Sequence, residues 1–212
     1  MKNYKMIITY DGTRYYGWEH QPTTDMTIQG KLESVLSAMT GTEVEVIGAG
    51  RTDAGVHAIG QVANFKTNSK IPIEKIPVAL NTKLKKTIRI INAEEVDERF
   101  HSRLSCKRKT YRYVINNSEF SSALYRNLEC HIPQKLNIEK MQEAAKYFEG
   151  EHDFKAFKAS GTSSKSSVRT IYEAKVYKRE DTRICIELTG NGFLYNMVRI
   201  ISGTLLDVGL GK

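Results

Sequence analysis

The residues best suited to chemistry lie in a glycine-rich segment, residues 48–60, that carries Arg51 and Asp53. Glycine supplies no packing and costs backbone entropy, so four glycines in one short segment indicate positive φ angles or close approach of a bulky ligand. A carboxylate there can act as a nucleophile or a general base, and a nearby arginine favours its ionised form. In an arbitrary protein, Asp53 would more often hydrogen-bond its own turn, so both roles stay open at this point.

The flanking residues predict the elements that position this segment. Runs of β-formers and alternating residues predict seven strands, at residues 5–10, 43–47, 61–65, 87–96, 107–115, 168–176 and 183–188. Apolar residues at helical spacing predict four helices: 28–39 with Thr27 as N-cap and Gly41 as stop, 73–80 despite Pro77, one from the Asn137 cap to Gly150, and one carrying Leu194 to Leu205. The mixture predicts one continuous α/β or α+β body.

Net charge points to a polyanionic partner. The chain has 32 Lys and Arg against 24 Asp and Glu, a formal charge of +8, and basic side chains release counterions from nucleic-acid phosphates. The cysteines Cys106, Cys130 and Cys185 are far apart, which argues against a disulfide framework or a zinc knuckle. The first residues form no long apolar stretch, so we expect a soluble, cytoplasmic protein with no membrane partner.

Several other residues have a functional and a structural interpretation. His57 follows Asp53 by four residues, but the intervening glycines argue against a helical metal pair, so we expect no metal and a histidine that shapes the loop or contacts RNA. Trp18 is either a core residue or a platform for RNA. Residues 160–167 predict a mobile loop, whose lysines contact phosphate or are simply solvated. A larger basic group is assigned to phosphate contacts, with a solvated surface as the alternative: Arg14, Lys107, Arg108, Lys109 and Arg112.

Residues 48–58, GAGRTDAGVHA, closely resemble the active-site loop of the TruA family of tRNA pseudouridine synthases, whose signature is G-x-G-R-T-D-x-G-V-H-A. Every specified position matches. Four further segments resemble family motifs in family order: residues 10–18 with 27–30, 109–113, 151–157 and 190–199. The resemblance thus covers nearly the whole chain, and family members continue with a further C-terminal segment beyond the position of Lys212.

The resemblance implies a fold and a function. The fold is a mixed, largely antiparallel sheet with helices on one side, in two pseudo-related halves that flank a central basic cleft. We expect residues 1–104, with the loop at 48–60, as the first half and residues 105–212 as the second. The implied activity is cofactor-free isomerisation of uridine to pseudouridine at positions 38–40, in the anticodon stem-loop of tRNA, by a homodimer.

The resemblance also assigns roles to single residues. It makes Asp53 the catalytic carboxylate, Arg51 its loop neighbour, Tyr111 the aromatic that contacts the target base and Arg199 a charge partner of the carboxylate. Whether the carboxylate is a nucleophile or a base is left open. Two other functions remain: a non-catalytic tRNA-binding or RNA-binding protein of the same fold, and a hydrolase that releases uracil when water intercepts the broken glycosidic bond.

Overall fold

The computed structural model of the chain describes residues 1–161, 164–179 and 182–212. These residues form two compact units, Met1–Cys106 and Lys107–Lys212. In the described parts, each unit combines a β-sheet with two α-helices. The fold class is therefore mixed α/β with largely antiparallel strands, as predicted. No helix among the described residues is both long and apolar enough to cross a lipid bilayer.

The first unit is a four-stranded antiparallel sheet with the order β2-β3-β1-β4. Its elements are β1 (Lys2–Tyr10), α1 (Ile28–Thr40), β2 (Val46–Gly48), β3 (Ala58–Thr67), α2 (Ile76–Lys83) and β4 (Ile88–Val96). Side chains alternate across a strand, so β1 turns Met6, Ile8 and Tyr10 to one face, where they are buried with residues of both helices. The helices therefore cover one side of the sheet.

Helix α1 begins and ends where its capping residues predict. The Thr27 side chain accepts a hydrogen bond of 3.1 Å from the Gly30 amide. Gly41 has a φ of 71°, and its amide donates to the Ser37 carbonyl over 2.9 Å. A glycine takes this left-handed conformation without the steric cost of a Cβ, so it ends the helix cleanly.

Several boundaries in the first unit differ from the prediction, beginning with β1, which starts at Lys2 rather than at residue 5. The residues 73–80 form a short 3-10 turn, Ile73–Lys75, and only then α2, which continues to Lys83. Pro77 is tolerated because it lies in the first turn, where helical amides have no partner. Strand β2 is shorter than the predicted 43–47, and β3 is longer than the predicted 61–65, since pairing with β1 continues along its whole length.

The second unit is a five-stranded sheet with the order β6-β5-β9-β8-β7. Its elements are β5 (Lys109–Asn116), β6 (Cys130–His131), α3 (Ile138–Lys146), β7 (Gly150–Asp153), β8 (Val168–Arg179), β9 (Arg183–Gly190) and α4 (Met197–Gly209). Only the pair β5 and β6 is parallel among the described strands. The buried face of β9, with Ile184, Ile186 and Leu188, packs in one apolar cluster with residues of α3 and α4.

Some predictions for the second unit need correction. The Asn137 cap is confirmed, since its side chain accepts from the Lys140 amide over 3.0 Å, but α3 ends at Lys146 rather than Gly150. The next residues make tighter turn bonds, and Gly150, with a φ of 101°, starts β7. The last helix starts at Met197, so Leu194 precedes it. Strand β5 begins at Lys109 instead of residue 107. Two residues of the loop predicted at 160–167, Thr162 and Ser163, lie outside the described residues.

Candidate active site

The Asp53 loop, which we define as residues 49–57, connects the antiparallel strands β2 and β3. The Ala49 amide donates to the Val62 carbonyl over 2.8 Å, which ties the start of the loop to the sheet. A turn follows at Asp53 itself, where the Val56 amide donates to the Asp53 carbonyl over 3.1 Å and Gly55 has a φ of 78°. Only a residue without a Cβ takes this φ easily, so the glycine lets the chain reverse directly after the carboxylate. The Asp53 side chain is half-buried.

A second loop, residues 11–18, packs against the Asp53 loop, and we call it the Trp18 loop. The Trp18 amide donates to the Thr52 carbonyl over 3.0 Å. A Cβ on Gly17, which has a φ of 95°, would lie 2.5 Å from the Thr52 carbonyl oxygen and 3.2 Å from the Asp53 carbonyl carbon. The two backbones thus pack closely where the chain passes from Thr52 to Asp53, and this contact explains why a glycine occupies position 17.

His57 joins the two loops. Its Nδ1 atom lies 3.2 Å from the Gly12 amide, which donates to it, and 3.2 Å from Oδ1 of Asp11. Asp11 also accepts hydrogen bonds from the side chain and the amide of Thr13, and these hydrogen bonds hold its pKa below the usual value. The structure thus gives His57 a loop-shaping contact.

The two arginines predicted as site residues in the first unit lie on its surface. Arg51 is exposed, and its Nη2 lies 2.6 Å from Oε1 of Glu19. Arg14 is exposed within the Trp18 loop. Trp18 itself is 3% exposed and its ring centroid lies 6.1 Å from that of Tyr10, so it belongs to the core and offers no platform to RNA.

Tyr111 and Arg112 of the second unit address opposite faces of the sheet, as neighbours on a strand do. Tyr111 is half-buried and meets the Phe193 ring edge to face, with the centroids 5.2 Å apart. The Arg112 Nε donates to Oε2 of Glu187 over 2.8 Å, and this bond raises the pKa of the guanidinium. Lys109 starts the strand on the Tyr111 face. Phe193 was missed as a single residue, although the segment 190–199 that contains it resembles a family motif.

Arg199 lies in the first turn of α4, a position that breaks two local rules. The helix dipole disfavours a cation at this end by about 0.3–1 kcal/mol. The helix also starts from Asn196 at a φ of 57°, and the Asn196 side chain makes no capping hydrogen bond. Local conflicts of this kind are typical of functional positions, because a residue kept for chemistry need not favour its own element.

Two further side chains of the second unit have defined contacts. Burial, with a hydrogen bond to the Cys130 thiol, raises the pKa of Tyr113 to about 12, and the nearby Arg199 charge acts in the opposite direction. The guanidinium of Arg108 lies 5.5 Å from the centroid of the Tyr172 ring. Within residues 1–161, 164–179 and 182–212, His, Cys, Asp and Glu side chains form no group of three or more suited to a metal ion.

Sequence reasoning missed the residues that hold the Asp53 loop from outside. Tyr10, Gly17 and Thr52 lie in the segments that matched family motifs, but each was read as part of a pattern rather than as a contact. Glu19, next to Trp18, was not singled out at all. Their roles depend on contacts between distant parts of the chain. The sequence signal for these contacts was the number of glycines and aromatic residues in both loops, which indicates close packing but not the partners.

The first unit thus presents a carboxylate and an arginine on a glycine-rich loop that a second loop holds in place. An ionised carboxylate in such a setting can attack a carbon centre or remove a proton. With a net charge of +8 on the chain, this arrangement suits an enzyme that acts on a polyanionic substrate.

Comparison with known proteins narrows this class to one family. A family model described as tRNA pseudouridine synthase matches residues 6–104 and 144–212. The tRNA pseudouridine synthase A of Thermoanaerobacter sp. (strain X514) is 53% identical over 212 residues, which is 100% of this chain and 86% of the relative. Proteins of the same name from Ruminiclostridium cellulolyticum and Caldicellulosiruptor saccharolyticus are 53% and 49% identical, with the same coverage. The chain belongs to the tRNA pseudouridine synthase family, as the resemblance predicted.

Proposed function

We propose that this chain isomerises uridine to pseudouridine in tRNA, with Asp53 as the catalytic carboxylate. The observation that carries the proposal is the similarity, at 53% identity over all 212 residues of this chain and 86% of each relative, to proteins named tRNA pseudouridine synthase A. The Asp53 loop supports it, because it carries a half-buried carboxylate, and an arginine two residues earlier, on a backbone that hydrogen bonds from a second loop hold in place.

The reaction needs no redox or group-transfer partner. The N1 to C1′ bond of uridine breaks, the uracil turns, and a C5 to C1′ bond forms, while the proton lost from C5 is balanced by a proton gained at N1. Asp53 serves either as the nucleophile or as the base that removes a ribose proton, and it must be ionised for both. Arg51, two residues earlier, supplies a cation that contacts a substrate phosphate or orients the carboxylate.

The remaining residues bind RNA in this proposal. A base inside a helix must be unstacked before its glycosidic bond can be reached, and Tyr111 offers a flat face on which the extruded uracil stacks. Arg14 and Lys109 contact phosphates, and His57 contributes through the shape of the loop. Arg112 forms an ion pair with Glu187, and this pairing lowers the contribution of Arg112 to phosphate binding. The role of Arg199 as a charge partner of the catalytic carboxylate remains a prediction.

The proposal extends to substrate position, assembly and compartment. The uridines at positions 38–40 of the anticodon stem-loop are the expected targets. We propose that both units act as one catalytic body, that two chains form a homodimer on tRNA, and that the enzyme works in the cytoplasm, where tRNA is found. Size-exclusion chromatography with light scattering, with and without tRNA, measures the predicted dimer.

The test is an isomerisation assay on tRNA transcript labelled in uridine, digested and separated into uridine, pseudouridine and free uracil. We expect pseudouridine from the parent chain and at least about a thousandfold slower formation from Asp53→Asn. Asp25→Asn is the matched control, because it makes the same change at an exposed carboxylate outside the loop. Free uracil would identify a hydrolase, and tRNA binding without either product would identify a non-catalytic binding protein; both results would overturn the proposal.

A further inference from the structure

Thr52, the residue before Asp53, is held by two contacts, one from the Trp18 loop and one from strand β1 of the sheet. Its hydroxyl Oγ1 lies 2.8 Å from the hydroxyl of Tyr10, and its carbonyl accepts the Trp18 amide over 3.0 Å. Both contacts join Thr52 to residues more than thirty positions earlier in the chain. The side chain and the main chain of Thr52 are therefore both anchored at the point where the backbone enters Asp53.

Tyr10 is a rigid anchor for this contact. It is the last residue of β1, pairs with Ala58 on one side and Ile88 on the other, and is 3% exposed. Its ring packs on the Trp18 ring, and a Cβ on Gly48 would lie 2.5 Å from the indole. The phenol oxygen is thus set by the sheet and by a close-packed ring, so its position varies little.

A fixed Thr52 matters because catalysis depends on small distances. A displacement of about 1 Å at the reacting groups can cost about a hundredfold in rate. Rotation about the backbone of Thr52 moves the carboxylate of the next residue, and the Tyr10 hydroxyl opposes that rotation. A supporting hydrogen bond of this kind holds a reactive side chain in its productive geometry.

We propose that Tyr10 is a positioning residue for the reaction, whose hydroxyl fixes Thr52 and through it the carboxylate of Asp53. This inference rests on the proposed function, in which Asp53 is the catalytic carboxylate. In this role Tyr10 acts through Thr52 and not on the substrate. Its contribution is to the fraction of molecules in which Asp53 is correctly aimed, so it acts on kcat rather than on KM.

The chain offers a matched control in Tyr15. This residue is 4% exposed, close to the 3% of Tyr10, and its hydroxyl lies 2.7 Å from Oγ1 of Thr87, a threonine outside the Asp53 loop. Tyr15→Phe and Tyr10→Phe therefore each remove a partly buried tyrosine–threonine hydrogen bond from the same unit. The Tyr15 carbonyl accepts the Gly55 amide over 3.2 Å, and this main-chain contact survives in Tyr15→Phe.

The experiment compares the two variants in three measurements. We expect similar falls in the unfolding midpoint, because the lost bonds are alike. The steady-state kcat should fall about tenfold in Tyr10→Phe and stay within twofold in Tyr15→Phe, with KM within twofold in both. Hydrogen exchange of the amides of residues 52–55 should rise in Tyr10→Phe alone, and this readout does not depend on activity.

Thr52 provides the rescue and the coupling test. Thr52→Ser keeps the hydroxyl and should keep kcat, whereas Thr52→Val should lower it about as much as Tyr10→Phe. The double variant should be no slower than the slower single variant, since both remove the same bond. If Tyr10→Phe does not fold, Thr52→Val carries the comparison with Tyr15→Phe.

The outcomes separate this inference from the proposed function. Equal kcat and equal exchange in Tyr10→Phe and Tyr15→Phe, with an active parent and an inactive Asp53→Asn, overturn the positioning role and leave the isomerase intact. A parent chain that forms no pseudouridine overturns both. Additive losses in the double variant also count against the inference, because they mean that Tyr10 and Thr52 act independently.

Discussion

Arg51 is paired with a carboxylate of its own chain, since its Nη2 lies 2.6 Å from Oε1 of Glu19. The two side chains are 62% and 49% exposed, so solvent screens the pair and its contribution is about 0.2–1 kcal/mol. An RNA phosphate that approaches the Asp53 loop therefore competes with Glu19 for the same guanidinium. The ion pair with Glu19 therefore lowers the affinity of Arg51 for phosphate.

Glu19→Gln is expected to tighten tRNA binding. The variant removes the competing carboxylate and leaves the arginine, so the dissociation constant should fall by about 1.5-fold to fivefold, the range that corresponds to the pair's free energy. Filter binding or fluorescence anisotropy at low salt measures it. Asp25→Asn removes the same charge from the Lys31 pair, and we expect a smaller change there. Equal effects in both variants would mean that only net charge matters.

Gly17→Ala is expected to damage the Asp53 loop beyond the cost of backbone strain. The alanine would have to adopt a φ of 95° and would place its Cβ 2.5 Å from the Thr52 carbonyl oxygen. Gly41→Ala isolates the strain, because Gly41 has a φ of 71° but no atom within 4 Å of its Cβ position. We expect Gly41→Ala to lose about 1–2 kcal/mol of unfolding free energy and retain activity. Gly17→Ala should lose more stability and at least tenfold in rate, as urea unfolding and initial rates will show; equal rates would contradict the close contact.

Arg112 and Arg14 are expected to differ in their effect on tRNA. Arg112 is held by Glu187 across the sheet, with side chains 36% and 19% exposed, so Arg112→Gln should lower stability by about 0.5–2 kcal/mol and change tRNA affinity less than twofold. Arg14→Gln should weaken binding and reduce the slope of log affinity against log salt by about 0.9, the loss of one phosphate contact. A salt titration of both variants separates them. A lower slope for Arg112→Gln would show that RNA displaces Glu187.

The pKa of Tyr113 predicts a loss of stability at high pH. Because its pKa rises from 10.0 to about 12 on folding, the unfolded chain releases this proton first. The stabilisation is complete below pH 10 and is lost as the pH rises to about 12. Urea unfolding of the parent should therefore show a steeper decline across this window than Tyr113→Phe, which has no proton to lose. Parallel declines in both proteins would mean that folding does not raise the pKa of Tyr113.

Local signals accounted for much of the fold. Thr27 and Gly41 bound α1 because a cap depends only on residues within a turn of the helix end. Strand β6, only Cys130–His131, carries no such signal, since its pairing with β5 is set by the distant residues that it meets. The end of α3 was misplaced for a related reason: Tyr147 and Phe148 suit a helix, and the left-handed Gly150 was taken as its stop rather than as the start of β7.

The candidate site divides in the same way. The loop that carries Asp53 and Arg51 was predictable because it is continuous in sequence and rich in glycine, whereas the roles of the two residues remain predictions. The contacts that hold the loop were not, since Tyr10 meets Thr52 and Glu19 meets Arg51 only after β1 has paired with β3. Trp18 shows what the sequence could not predict. A tryptophan suits either the core or an RNA-binding surface, and only the packing against Tyr10 decided between these roles.

The sheet order of the first unit has a consequence for biosynthesis. Strand β1 lies between β3 and β4, both of which leave the ribosome after it, and Lys2 pairs with residue 67. The nascent β1 therefore waits with its apolar side chains uncovered until most of the unit has been translated. The loop that carries Asp53 meets Tyr10 only when that long-range pairing is in place, so the non-local pairing of β1 with β3 also brings the parts of the candidate site together.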